Sequence, residues 1–231
     1  IICGRPWVDE VFKQIDPAVD LAWEVREGEA VRADTVLFQA QGKTRSLLTA
    51  ERTALNFLQT LSATASQTHR LVQLVKHTKT SLLDTRKTIP GLRLAQKYAV
   101  ATGGGVNHRV GLYDAFLIKE NHIRGCGSIA NAISRARELA PEARLEVEVE
   151  TFTELREAID AGPDWIMLDN FSIADTKRAV AETNSAVKLE ASGGIENDDD
   201  LVKIAETGVD YISIGAMTKH CRAIDLSMLL S

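Results

Sequence analysis

Two stretches decide how this chain folds: "AIDAGPDWIMLDN" at residues 158–170 and "IAETGVDYISIGA" at residues 204–216. Each begins with the end of a helical pattern and passes a glycine, Gly162 or Gly208. Two residues later comes an aspartate, Asp164 or Asp210, and then a run rich in strand-forming side chains. Glycine is the residue that most readily takes the left-handed turn closing a helix, so each stretch reads as one helix-to-strand junction. Two such junctions 46 residues apart indicate a repeated unit.

Working outward, the same alternation covers most of the chain. Strand-like runs are "SLLDT" (81–85), "AFLIKE" (115–120), "LEVEVE" (145–150), "DWIMLD" (164–169), "VKLEAS" (187–192) and "YISIGA" (211–216). Amphipathic helices occupy 127–140, 152–162, 172–184 and 198–208. Alternating strands and helices build a parallel sheet covered by helices. Six units within residues 79–220 suit an incomplete α/β barrel, with a doubly wound sheet as the alternative. Before it, "LAWEVREGEAV" and "DTVLFQAQG" read as short strands, and residues 49–77 as a helix with Leu55, Leu58, Leu61, Leu71 and Val75 at helical spacing. The expected division is a smaller domain with linking helices at 1–78, a barrel at 79–220, and a tail at 221–231 packing back toward the first domain.

Global properties narrow the function. A net charge of −5 over 231 residues disfavours general nucleic-acid binding. No apolar run is long enough to span a bilayer, and no signal-peptide pattern is present. Cys3, Cys126 and Cys221 show no metal or disulfide spacing and read as reduced cytoplasmic thiols.

The chemistry gathers where strands end. In an α/β barrel the C-terminal strand ends form the working face. "LLDTRKTIPGL" at 82–92 ends its strand in Asp84, Thr85, Arg86 and Lys87; the next strand ends in Lys119, and "TGGGVNHR" supplies His108 and Arg109. Several cations around one mouth are unfavourable unless an anion binds there. The late turns "SGGI" and "IGAM" place Ser192, Gly193, Gly194 and Gly215 where barrels commonly hold phosphate. In "LEVEVE", Glu146, Glu148 and Glu150 share one face; if it is the lumen, Glu148 meets Asp169 on the next strand, a pair suited to Mg²⁺ or ribose hydroxyls. "TGGGVNHR" matches neither the dinucleotide nor the P-loop pattern. Lys119 also has the position of a Schiff-base lysine, as in a barrel aldolase.

At "LLDTRKTIPGLR", "GGGVNHRVGLYDAFLIKENHI", "EVEVE", "IMLDNF" and "SIGAMTKH" the chain resembles the quinolinate phosphoribosyltransferase family over essentially its whole length. The resemblance implies an N-terminal α/β sandwich domain, shortened here, before an incomplete α/β barrel. It implies conversion of quinolinate and phosphoribosyl pyrophosphate, with Mg²⁺ and no organic cofactor, to nicotinate mononucleotide, pyrophosphate and CO₂ in NAD biosynthesis. By the same resemblance, Thr85, Arg86, Lys87, His108, Arg109 and Lys119 surround the quinolinate carboxylates. Lys87, Lys119, Glu148 and Asp169 are the catalytic set. Glu148 and Asp169 lie near ribose and metal, directly or through water or substrate, and Ser192, Gly193, Gly194 and Gly215 hold phosphate. Arg52 reaches the active site of a neighbouring subunit, so a cytoplasmic homodimer with shared sites, or a higher oligomer, is expected. Rival readings are a metal-uptake relative of the same fold and a binding protein that retains the ligand ring without turnover.

Overall fold

A computed structural model describes residues 1–230. The chain forms two compact units interleaved along the sequence: residues 1–70, 87–105 and 216–231 in one, 71–86 and 106–215 in the other.

The first unit holds α1 (Arg5–Ile15) and an antiparallel pair, β1 (Asp20–Trp23) with β2 (Phe38–Gln41). It also holds most of α2 (Thr44–Val75), then α3 (Arg93–Thr102) and α9 (Ala216–Lys219). Val8, Phe12, Leu47, Ala54 and Leu58 form its main core, and Leu226 and Met228 of the tail pack onto it. Helix α1 lies in a stretch that alternation alone leaves as mixed. Its N-terminal Pro6 and the buried pair Val8 and Phe12, four apart, are what make it helical. Most of residues 24–37 is loop rather than strand.

The second unit contains β3 (Ser81–Leu83), β4 (Ala115–Ile118), α4 (Glu120–Cys126), α5 (Ile129–Leu139) and β5 (Arg144–Val149). It continues with α6 (Phe152–Ala161), β6 (Trp165–Asp169), α7 (Ile173–Thr183), β7 (Lys188–Ser192), α8 (Asp198–Ala205) and β8 (Tyr211–Ser213). All its strand pairs are parallel, in the order β3-β8-β7-β6-β5-β4. Read as a circle, this is chain order with β8 returned to β3 and one seam left open between β3 and β4. A doubly wound sheet would instead reverse direction at a switch point, so the incomplete barrel stands.

The repeated junctions explain the sheet's registration. Gly162 and Gly208 both have positive φ, 70° and 91°. The aspartate that follows each one clips the start of the neighbouring strand. The Asp164 N–H donates to the Leu145 carbonyl at 2.9 Å, and its Oδ2 accepts the Leu145 N–H at 2.7 Å. Asp210 repeats both bonds with Leu189, at 3.1 and 3.0 Å. Helix α6 begins with a reciprocal cap between Thr151 and Glu154.

Burial alone would raise the Asp210 carboxyl, but the Leu189 N–H and the Lys188 and Lys79 ammonium groups hold it below the usual carboxylate range. A depressed native value contributes stability that is present above the unfolded carboxylate value and lost as pH falls through the native one. We therefore expect Asp210→Ala to cost about 1–3 kcal/mol at neutral pH. That difference should shrink on acidification below about pH 4. Urea unfolding of both proteins across this range checks it; a pH-independent difference would contradict the assignment.

Candidate active site

Strand parity decides which side chains line the barrel. On β5, Leu145, Val147 and Val149 are buried beneath the helices, while Glu146 and Glu148 face the lumen with His108 and Lys119 as partners. The inward reading of this strand therefore holds for two of its three acids. Glu150 lies beyond the strand, exposed, with its N–H donating to Glu154 Oε2 at the α6 cap.

The lumen is filled from bottom to rim. Near the strand starts, the Arg144 guanidinium sits 4.4 Å over the Trp165 ring, which stacks on Tyr211 at 4.2 Å. Further along the strands, His108, Glu146 and Glu190 form a buried cluster, and the His108 ring meets Trp165 edge-on. At the rim, Lys119 pairs with Glu148, and the ends of β6 and β7 bring Asp169 and Ser192 into register as neighbours.

The segment that carries His108 and Arg109 spans the open seam. Val106 bridges to Leu83 in parallel fashion, and the His108 N–H donates to Asp84 Oδ1 at 2.8 Å. At the other side the Arg109 Nη1 donates to the Ala115 carbonyl of β4 at 3.3 Å. Arg109 is only 7% exposed. Burial and then the nearby charge of Arg86 push its pKa down, while Glu146 and Asp114 favour its charge.

His108 Nε2 lies 2.7 Å from Glu146 Oε2 and 3.4 Å from Glu190 Oε2. Burial opposes charge on the ring, while hydrogen bonds and charge from these carboxylates favour it. Burial raises Glu146 to about 7. Against a doubly protonated ring stands the Arg109 N–H, which donates to His108 Nδ1 at 2.6 Å and requires a lone pair there. We take that contact as decisive: the ring is the Nε2–H tautomer, and an added proton goes to the carboxylates. Nε2 then has no lone pair for a metal, although the cluster has three potential ligands, one imidazole and two carboxylates, within coordinating reach.

The phosphate-loop candidates include two consecutive glycines in the left-handed region, a conformation that glycine takes without strain. Gly193 and Gly194 have φ of 83° and 67°. Asn170, itself at φ 55°, donates its N–H to the Ser192 carbonyl at 2.9 Å and its side-chain amide to Asp169 Oδ2 at 3.1 Å. Gly215 follows β8, where the Ile214 N–H donates to the Leu83 carbonyl.

Of the expected site residues, Thr85, Arg86, His108, Arg109, Lys119, Glu148, Asp169, Ser192, Gly193, Gly194 and Gly215 belong to the barrel unit. Lys87 and Arg52 belong to the other. Lys87 is exposed, and its carbonyl accepts the Thr218 hydroxyl at 2.7 Å. Arg52 projects from α2 with its side chain 66% exposed. Glu190, Asp84 and Asn170 were not among the expected site residues. Period-two counting back from Ser192 puts Glu190 on the lumen face, which is the signal that finds it.

A parallel barrel whose rim collects cations, a lysine–carboxylate pair and glycine turns is, as a class, an α/β-barrel built to bind polyanionic small molecules. Comparison makes this particular. The family model for the quinolinate phosphoribosyl transferase C-terminal domain matches residues 64–229, and that for its N-terminal domain matches residues 1–62. A probable carboxylating nicotinate-nucleotide pyrophosphorylase of Bacillus subtilis is 43% identical over 99% of this chain and 79% of its own length. The Mycobacterium leprae enzyme is 41% identical over 96% of this chain and 78% of its own. The solved nicotinate-nucleotide pyrophosphorylase of Francisella tularensis superposes with a TM-score of 0.96 at 53% identity, covering 98% of this chain and 81% of its own. The chain belongs to the quinolinate phosphoribosyltransferase family.

A Cβ added at Gly193 would lie 2.1 Å from Asn170 Oδ1. Gly193→Ala should therefore push the Asn170 amide away from Asp169 and lower kcat by about tenfold or more, as small displacements at a reacting centre do. Asn170→Ala removes the same amide and should lower kcat by a similar factor, with the double variant no worse than either single one. Steady-state kinetics of the three variants provide the check; a full additive loss in the double variant would mean that the glycine acts by some route other than Asn170.

Proposed function

We infer that this barrel transfers the phosphoribosyl group of phosphoribosyl pyrophosphate to quinolinate with decarboxylation. The products are nicotinate mononucleotide, pyrophosphate and CO₂, and the reaction serves NAD biosynthesis. The observation that carries the reading is a buried arginine, Arg109, fixed at the seam of the barrel, with Lys119 paired to Glu148 at the strand ends. Quinolinate is a dianion, and guanidinium groups match carboxylates through paired N–H donors.

Arg86, Arg109 and Lys119, with Thr85 and Lys87, would hold the two carboxylates and aim the pyridine nitrogen at ribose C1. As the nitrogen bonds to C1, the bond to pyrophosphate breaks and positive charge grows on the sugar ring. Glu148 and Asp169 lie where negative charge would stabilise it, and Ser192 and the backbone at Gly193, Gly194 and Gly215 would take the phosphate oxygens. Mg²⁺ bound with the sugar donor would offset charge on the departing pyrophosphate. Glu148 and Asp169 fit a water-mediated contact to such an ion, since Glu148 is already paired with Lys119 and Asp169 accepts from Asn170. Once alkylated, the ring nitrogen is cationic. The electron pair of the C2–carboxylate bond stays on C2 as CO₂ leaves, stabilised by the adjacent cationic nitrogen, and a solvent proton then bonds to it there. The ring is its own electron sink, so no organic cofactor is required.

We place the reaction in the cytoplasm, in keeping with three free cysteines and the absence, among the described residues, of a helix long and apolar enough to cross a membrane. Incubation with quinolinate, phosphoribosyl pyrophosphate and Mg²⁺, following CO₂ and nicotinate mononucleotide, tests the function; binding of quinolinate without release of pyrophosphate would leave a binding protein. Selectivity tests the carboxylate clamp. Nicotinate lacks the second carboxylate, and binding it leaves a buried cation without its anion. We expect kcat/KM to fall by about a thousandfold or more relative to quinolinate. Comparable use of both acids would remove the clamp.

The exposure of Arg52 supports a site shared between two subunits of a homodimer, each lending its arginine to the other. Arg52→Ala and Lys119→Ala should each be inactive. Co-expressed, they pair at random, half the dimers are mixed, and about a quarter of all sites carry no defect. Activity no higher than either parent, with mixed dimers verified by affinity tags, would rule out the exchange.

A further inference from the structure

Glu146 and Glu190 do not reach the rim, yet both are fully buried. Glu146 Oε1 and both Glu190 oxygens lack a hydrogen-bond partner among the described residues. Two carboxylates in a lumen are expensive unless they act on something. Both approach the His108 Nε2–H, which lies 2.7 Å from Glu146 and 3.4 Å from Glu190. The other ring nitrogen receives the Arg109 N–H. The imidazole is thus a strut: one end is seated on the carboxylates of β5 and β7, the other holds the backbone of Arg109. The Asp84 carboxylate fixes the His108 N–H from β3, and the Trp165 ring closes the side.

We propose that Glu146 and Glu190 are positioning residues for quinolinate, acting through the His108 ring to fix the backbone and guanidinium of Arg109 at the seam. The inference rests on the reading of Arg109 as a carboxylate-binding residue. It also assigns His108 a role different from direct contact: with both ring nitrogens committed inward, its contribution is the orientation of its neighbour. A carboxylate pair placed behind Arg109 further offsets the repulsion from Arg86 while the site is empty, since Glu146 favours the Arg109 charge.

The test uses Glu146→Met and Glu190→Met, which keep side-chain length and remove the acceptors, beside Glu146→Gln, whose carbonyl can still accept the Nε2–H. Glu146→Met should raise the quinolinate KM by about tenfold or more, leave the sugar-donor KM within about twofold, and be rescued to near wild type by Glu146→Gln. Glu190→Met, at the longer distance, should move the same constant by less. In a His108→Ala background, Glu146→Met should have no further effect, because its route to the substrate is gone. Additive effects in that background, equal changes in both KM values, or an unchanged quinolinate KM would overturn the proposal. Arg109→Lys separates the two readings. An unchanged quinolinate KM in that variant removes the clamp and the inference together. A raised value there beside an unchanged value in Glu146→Met removes the inference alone. Nitrogen-15 spectra of wild-type His108 need no variant: the Nε2–H tautomer is expected, and a proton on Nδ1 would overturn the strut. So would one equivalent of a transition metal, found by elemental analysis and lost in Glu146→Met.

Discussion

A six-stranded parallel sheet curled toward a barrel has two edges, and the structure depends on how the gap between β3 and β4 is bridged. Unpaired strand edges leave backbone groups without partners and invite association with other strands. Here the segment after α3 fills that role without becoming a strand. Val106 exchanges backbone hydrogen bonds with Leu82 and Asp84 on one side, and Arg109 reaches the Ala115 carbonyl on the other. A regular strand would alternate its side chains in and out and spend its polar groups on the ladder. An irregular segment can instead turn a histidine and an arginine inward together. The open seam is thus the place where a barrel can bring concentrated positive charge into its own lumen.

That charge is tolerable because the lumen answers it. A buried guanidinium is costly unless carboxylates lie near it. Along the axis, Arg144 over Trp165 is followed by the His108–Glu146–Glu190 cluster and then by Lys119–Glu148. Each position two residues further along a strand changes the chemistry while keeping the same face, and this is how a strand pattern of charge alternating with Leu and Val becomes a graded interior. The apolar partners on the other parity, Leu145, Val147, Ile166, Leu168 and Leu189, supply the burial against the helices.

The barrel was legible because its signals are local. Helix-ending glycines, the aspartate after each, and period-two runs gave all six strands and the four outer helices from residue 127 to 208 close to their observed bounds. Which residues lie at the strand ends was legible for the same reason, since strand ends can be counted. What local pattern did not give is tertiary in origin. Helix α1 gains its stability from Phe12 and Val8 packing into a core with residues of α2 and the tail. The approach of Glu190 to His108, and the bond that Asp84 accepts from the His108 N–H, depend on which strand lies beside which. The interleaving of the two compact units, with residues 87–105 set apart from the strands on either side, leaves no mark in composition, because both units draw on the same mix of leucine, alanine and charge.

The separation of labour between interior and rim follows from dielectric. A cation at an exposed rim, such as Arg86, attracts a distant anion but is screened, so by itself it distinguishes poorly between one carboxylate and two. Buried Arg109 is screened little, and the Glu146 charge that favours it is in place before any ligand binds. If Arg109 clamps the second carboxylate as proposed, discrimination between a dicarboxylate and a monocarboxylate comes from this buried residue, and its precision from the backbone of the seam and the imidazole that fix it, one layer below the surface the substrate would touch.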